Sequence, residues 1–178
     1  MVYKLVVLGS SGTGKTALIK RLLQNRFVEQ CEPTVNHLYE GQLVVDGEPC
    51  ELAINDTSGR ELFRDLREDC IRWGQGFLFV YTVDSIMTFV DMTLFRDQLK
   101  RVKGTSRVPM VLVANKVDEA HWMVNSDMGQ DAAKIFRVPY VETSAKTGQD
   151  VEQAFQELVR EILRSQDKGR RFTPCRIL

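Results

Sequence analysis

Runs of β-branched and aromatic residues alternate along this chain with longer stretches whose apolar positions recur every three to four residues. The first pattern fits a pleated strand and the second a helix with one buried face. The spacing predicts strands over 3–9, 38–45, 50–56, 76–84, 108–116 and 138–143, and helices over 14–24, 86–103, 127–137 and 150–165. Asp46-Gly47, between the second and third strands, is a hairpin signal, because both residue types tolerate positive φ. The resulting expectation is a three-layer α/β domain: a six-stranded, mostly parallel sheet with one antiparallel hairpin and helices on both faces.

A chain of 178 residues is long enough for one such domain. The domain is expected over 1–165, and 166–178 reads as a flexible basic tail. The apolar run "FLFVYTV" (77–83) is too short to span a membrane and reads as a buried strand. Lys+Arg and Asp+Glu both number 24, so no basic field exists to hold nucleic acid non-specifically. The four cysteines form no C-x-x-C pair and only two histidines accompany them, which argues against a zinc site or a disulfide framework. Reduced thiols and no signal peptide lead to the expectation of a cytosolic protein.

Chemistry enters with "GSSGTGKT" (9–16), which fits G-x-x-x-x-G-K-[ST] between a predicted strand and a predicted helix. In that context the backbone N–H groups of Gly12, Thr13 and Gly14 turn inward around phosphate oxygens, aided by the positive helix end. Lys15 would reach the terminal phosphates and the Thr16 hydroxyl would ligate Mg²⁺. Asp56 ends the third strand and begins D-x-x-G with Gly59. Its carboxylate can hold Mg²⁺ through water, and the Gly59 N–H can face a third phosphate.

Two further motifs follow strands at the same end of the sheet. "NKVD" (115–118) places a carboxylate, Asp118, where it can accept both hydrogens from the N1 and N2 edge of guanine, a pair adenine lacks. Asn115 would brace the loop and the Lys116 stem would lie over the base. "ETSAKT" (142–147) offers the Ala145 N–H to guanine O6.

With these motifs the chain resembles a Ras-family small GTPase along essentially its whole length, with the family's spacing. The resemblance implies GTP and GDP as ligands and Mg²⁺ as cofactor. It implies nucleotide contacts from Ser11, Gly12, Thr13, Gly14, Lys15, Thr16, Ala17, Phe27, Thr34, Gly59, Asn115, Lys116, Asp118, Ser144, Ala145 and Lys146. Phe27 would pack on the guanine, and Thr34 would give a second hydroxyl to the metal beside Thr16 and the water-linked Asp56. The implied catalytic set is Lys15, Thr34 and Gly59, with Arg60 as its atypical member. Residues 31–39 and 58–66 would be the two switches that meet effector proteins, with an exchange factor as a further partner. The protein would act as a monomer, with no nucleic-acid partner.

Several positions depart from the family pattern. Ser11 stands where Ras proteins have a glycine, and a side chain there crowds an incoming arginine finger. Ser58 replaces an alanine. Arg60 replaces the glutamine that orients the attacking water; glutamine accepts and donates, whereas arginine only donates. For Ras itself an arginine supplied by an activating protein contributes roughly 10³ to 10⁵ in rate. Slow hydrolysis, poorly stimulated by such a protein, is therefore expected. Cys31 replaces a tyrosine, and Asn36 and His37 replace two acidic side chains of the first switch, so partner choice should differ from that of the usual Ras effectors.

The carboxyl end, "CRIL" (175–178), fits C-a-a-X with a terminal leucine that favours geranylgeranylation of Cys175. With Lys168, Arg170 and Arg171 nearby, it leads to the expectation of reversible attachment to the cytoplasmic face of a membrane, the plasma membrane foremost, with a cytosolic pool. Two rival readings carry weight. A constitutively GTP-loaded binding module would share every contact but lack turnover. A P-loop kinase or ATPase would need an adenine site or an acceptor pocket, against which Asp118 argues.

Overall fold

The computed structural model describes residues 1–29, 31–105 and 107–171. Six strands form one sheet: β1 (Val2–Leu8), β2 (Asn36–Val45), β3 (Glu48–Thr57), β4 (Gly76–Thr82), β5 (Met110–Asn115) and β6 (Tyr140–Glu142). Their order is β2-β3-β1-β4-β5-β6, and only the β2–β3 pair is antiparallel. Asp46 and Gly47 make the hairpin turn with φ of 51° and 84°, as a two-residue primed turn requires. Arg160 reaches this turn and donates to both carboxylate oxygens of Asp46, at 2.9 to 3.2 Å.

Five helices cover the sheet: α1 (Lys15–Gln24), α2 (Arg64–Trp73), α3 (Ile86–Lys103), α4 (Ser126–Phe136) and α5 (Val151–Arg171). Alternation along each strand sends neighbouring side chains to opposite faces. Leu5, Val7, Leu78, Val80, Val111 and Val113 pack against Leu18 and Ile19 of α1 and Phe155, Leu158 and Ile162 of α5. On the other face Val6, Leu8, Phe77, Phe79, Tyr81 and Leu112 meet Ile71 of α2, Met92, Phe95 and Leu99 of α3, and Ala133 of α4. Every residue of β4 is buried, as expected of a central parallel strand covered on both sides.

Two differences from the sequence expectation stand out. α2 was not expected at all. Its buried positions are Arg67, Cys70 and Ile71, a helical stripe whose first member is charged, so no apolar period marks it. α5 runs to Arg171, carrying regular helix six residues past position 165, into the stretch expected to be a flexible tail. Residues 172–178, with Cys175 among them, lie outside the described residues, and no helix that is described is long and apolar enough to cross a membrane.

Candidate functional site

Strand register sets the site. β1 and β3 run parallel with Val7 opposite Asp56, so the chain leaving β1 and the carboxylate ending β3 come out side by side. β4 and β5 run parallel with Thr82 opposite Asn115, and Ala114 lies opposite Glu142 on β6, so the segments after β5 and β6 emerge at the same end. Ligand sites of open parallel sheets form at these carboxyl ends. Here a cavity of about 660 Å³ joins the phosphate-type loop to the segments after β5 and β6.

Lys15 and Thr16 line one end, and Asp56, almost fully buried, lies behind them. The Lys15 ammonium is 6% exposed and donates to the carbonyls of Gly9 and Ser10, both at 2.9 Å. Burial pushes its pKa down to about 8 although Asp56 opposes the shift, so this cation is short of negative charge. The hydroxyls of Thr16 and Thr34 lie 3.0 Å apart, and both donate to Asp56 Oδ2, Thr34 at 3.4 Å. Burial raises the Asp56 carboxyl above the usual range, with the Thr16 hydrogen bond, then Lys15 and Thr34, pulling the other way. Asp56 Oδ1 is buried without a partner. Two hydroxyls and a carboxylate, one of whose oxygens is buried and unmet, make a hard-oxygen donor set, the kind Mg²⁺ takes, usually with waters completing its shell. The residues therefore fit that ion.

Gly59 closes this end from above. A Cβ built on it would lie 2.3 Å from the Ser11 nitrogen and 2.6 Å from the Gly9 carbonyl, so only glycine allows the D-x-x-G segment to rest on the loop. Ser58 is buried and its hydroxyl accepts from the Arg60 N–H at 3.2 Å. Arg60 and Ser11 are both exposed and both line the cavity. Ser10 Oγ donates to Asp91 Oδ2 of α3 at 2.8 Å, anchoring the loop from behind.

The opposite end is a closed hydrogen-bond network. Asn115, 1% exposed, donates through Nδ2 to the Thr13 carbonyl at 2.9 Å. Its Oδ1 accepts from Thr143 Oγ1 at 3.1 Å and from the Ala145 N–H at 3.3 Å. One amide thus staples together loops that lie 102 and 30 residues away in sequence. Ser144 Oγ donates to Asp118 Oδ1 at 2.6 Å and accepts from the Thr147 N–H at 3.0 Å, which fixes the carboxylate that faces the cavity. Lys116 stands at φ 64°, a left-handed turn that sends the chain from β5 across the cavity mouth. Arg21 of α1 holds the 145–146 segment by donating to the carbonyls of Ala145, at 2.8 Å, and Lys146, at 2.6 Å.

A search of protein families matches residues 4–164 to the Ras family. This chain belongs to the Ras family. Its members are small GTPases that bind GTP or GDP with Mg²⁺. Of the residues expected at the site, Ser11, Gly12, Gly14, Lys15, Thr16, Ala17, Phe27, Thr34, Gly59, Arg60, Asn115, Lys116, Asp118, Ala145 and Lys146 line the cavity. Thr13 and Ser144 do not: both are fully buried, and their hydroxyls are engaged with the Ser10 carbonyl and Asp118. Their side chains shape the Ras-family site from outside the cavity. The Ala145 N–H, expected to be free for guanine O6, already points to Asn115, at the long end of hydrogen bonding. Sequence reasoning missed the lining residues Val28, Glu29, Thr57 and Glu119, whose positions carry no signal beyond chain neighbourhood. It also missed Arg67 and Asp91, which act through contacts only the fold creates.

Proposed function

We propose that this Ras-family protein is a guanine-nucleotide switch that binds GTP and GDP with Mg²⁺ and hydrolyses GTP slowly. The observation that carries the reading is one cavity joining Asp118 at one end to Lys15 and Thr16 at the other, with Asp56 buried behind Thr16 and accepting its hydroxyl proton. Asp118, oriented by Ser144, would accept from the guanine edge, while Phe27 and the Lys116 stem would flank the ring. Lys15 would exchange loneliness of charge for phosphate oxygens, and the loop 9–14 with the α1 amino terminus would add N–H donors. Thr16, Thr34 and Asp56 would hold Mg²⁺, which supplies neutralisation of charge between the outer phosphates.

Around the third phosphate this chain's residues favour holding over cutting. Arg60 lies exposed at the cavity mouth and, among the described residues, its guanidinium makes no hydrogen bond or ion pair. It can add positive charge there, yet it offers water no acceptor. Ser11 borders the approach an activating arginine would take. Reading of partners follows from the first switch, where His37 stacks edge-on against Tyr39 at 4.4 Å and Asn36 carries no charge, so an effector with a basic recognition edge gains little here. Prenylation of Cys175 and the basic end of the chain would attach the protein to the cytoplasmic face of a membrane.

The first experiment is to purify the protein from cells, denature it and chromatograph the released nucleotide. Predominantly GTP supports slow turnover, and complete occupancy would favour the second reading, a standing GTP-loaded binding module. Predominantly GDP rejects slow hydrolysis while leaving the switch intact. Adenine nucleotide, or none, rejects the reading altogether.

A further inference from the structure

We infer that Arg67 is the positioning residue that holds the Gly59 amide toward a third phosphate, by locking the backbone of residues 58–60 to α3; the inference rests on the guanine-nucleotide reading above. Arg67 is 4% exposed, a burial that arginine accepts only when its donors are met. Its Nη1 donates to the carbonyls of Ser58, at 2.8 Å, and Arg60, at 3.2 Å. Its Nε donates to Gln98 Oε1 of α3 at 2.9 Å, and the guanidinium lies 5.0 Å from the Phe95 ring. The nearest carboxylate, Glu61, is 3.7 Å away and largely exposed, beyond hydrogen-bond distance. The buried charge is therefore directed mainly at two main-chain carbonyls and one amide.

Those two carbonyls flank Gly59. The Ser58 carbonyl shares a planar trans peptide with the Gly59 N–H, so the two point in opposite directions. Holding the carbonyl toward α3 turns the Gly59 N–H away from α3; Gly59 itself lines both the cavity that holds Lys15 and a second one bordered by Arg67, Phe95 and Gln98. The same helix holds the facing loop through Asp91 and Ser10. α3 is thus the common reference for both walls of the phosphate end. GDP, which lacks the third phosphate, has no use for the Gly59 amide, so the contribution of Arg67 is specific to GTP.

The test uses the full chain in Mg²⁺ buffer and measures the Kd of GDP and of a non-hydrolysable GTP analogue by displacement of a fluorescent GDP. Arg67→Met keeps the volume of the stem and removes the donors; it should retain GDP affinity and lose about tenfold for the analogue. Arg67→Lys should recover only part of that loss, because a point-like ammonium cannot reproduce the planar fork. Gln98→Leu removes one anchor of the guanidinium and should shift the same ratio by about threefold, providing the answer if Arg67→Met does not fold. An unchanged ratio, or an equal loss for both nucleotides, in Arg67→Met or in a folded Gln98→Leu overturns the inference. A wild-type protein that binds neither nucleotide overturns the functional reading itself, and the inference with it.

Discussion

The two ends of the cavity are built on different terms. At the base end Asn115, Thr143, Ser144 and Asp118 satisfy one another, and Arg21 clamps the next loop, so the recognition surface is finished before any ligand arrives. At the phosphate end Lys15 is a buried cation, Asp56 Oδ1 is a buried oxygen without a partner, and Gly59 rests on the loop. The base end is preorganised, which lowers the ordering cost of binding. The phosphate end keeps polar demands that a cation and phosphates would meet, so binding there is coupled to loop position. The positions expected from the sequence to depart from the Ras-family pattern, Ser11, Cys31, Asn36, His37, Ser58 and Arg60, all belong to the second end or its proposed switch. On the proposed function, the end that would choose the base is conventional, and the end that would time the signal is altered.

That contrast can be broken most directly at Asp118. Asp118→Ala should lower GTP affinity by about 100-fold or more, since two hydrogen bonds to a charged group are lost, with a stability loss of about 1 kcal/mol because the buried Ser144 hydroxyl loses its acceptor. A drop of less than tenfold in a fluorescent-nucleotide titration would mean that the base is not read there. Asn115→Ala should do the reverse and reduce stability itself by roughly 2–3 kcal/mol, through the groups it leaves unmet at Thr13, Thr143 and Ala145. Urea unfolding of the nucleotide-free protein measures this, and a neutral result would remove the staple from the argument.

A pH titration sharpens the same half of the molecule. Tyr81 is fully buried, and its hydroxyl meets that of Tyr140 at 3.2 Å, which in turn donates to Glu142 at 3.0 Å. Burial, partly offset by the Tyr140 hydrogen bond, pushes the Tyr81 phenol up to about 12. A pKa raised in the folded state means stability present in full below pH 10 and lost as pH rises from 10 through 12, by roughly 2–3 kcal/mol. Tyr81→Phe should reduce the slope in that window in chemical denaturation, with Tyr140, also raised by burial, keeping part of it, and an identical slope in the variant would refute the assignment.

Smaller effects belong to the phosphate end. Thr16→Ala should abolish most of the rise in melting temperature that Mg²⁺ gives the GDP-bound protein, a loss of about 1–2 kcal/mol. Magnesium stabilisation of equal size in the variant would leave the donor set without a role. Smallest is the gain at position 60: Arg60→Gln should raise single-turnover GTP hydrolysis by about tenfold, or about 1.4 kcal/mol in barrier, because an acceptor for water returns. No gain would show that the water is held by another group.

The sequence by itself determined most of the architecture. Six strands, the Asp46-Gly47 turn and four of the five helices were legible because their apolar periods and turn residues act locally. The motifs were legible too, since each sits at a strand end and its spacing needs no distant partner. Tertiary structure alone decided the rest. α2 lacks an apolar stripe because its inward position 67 is an arginine, and only α3, offering Gln98 and Phe95, makes that burial tolerable. α5 persists to Arg171 through a run whose polar composition suggested a loose tail. Thr13 and Ser144 withdrew from the cavity, and Asn115 acquired partners as far as 102 residues away. The physical reason is the same in each case. Local periodicity fixes which segments bury a face, whereas the partner of a buried polar group depends on which strand lies beside it, and that is known only once the sheet is assembled.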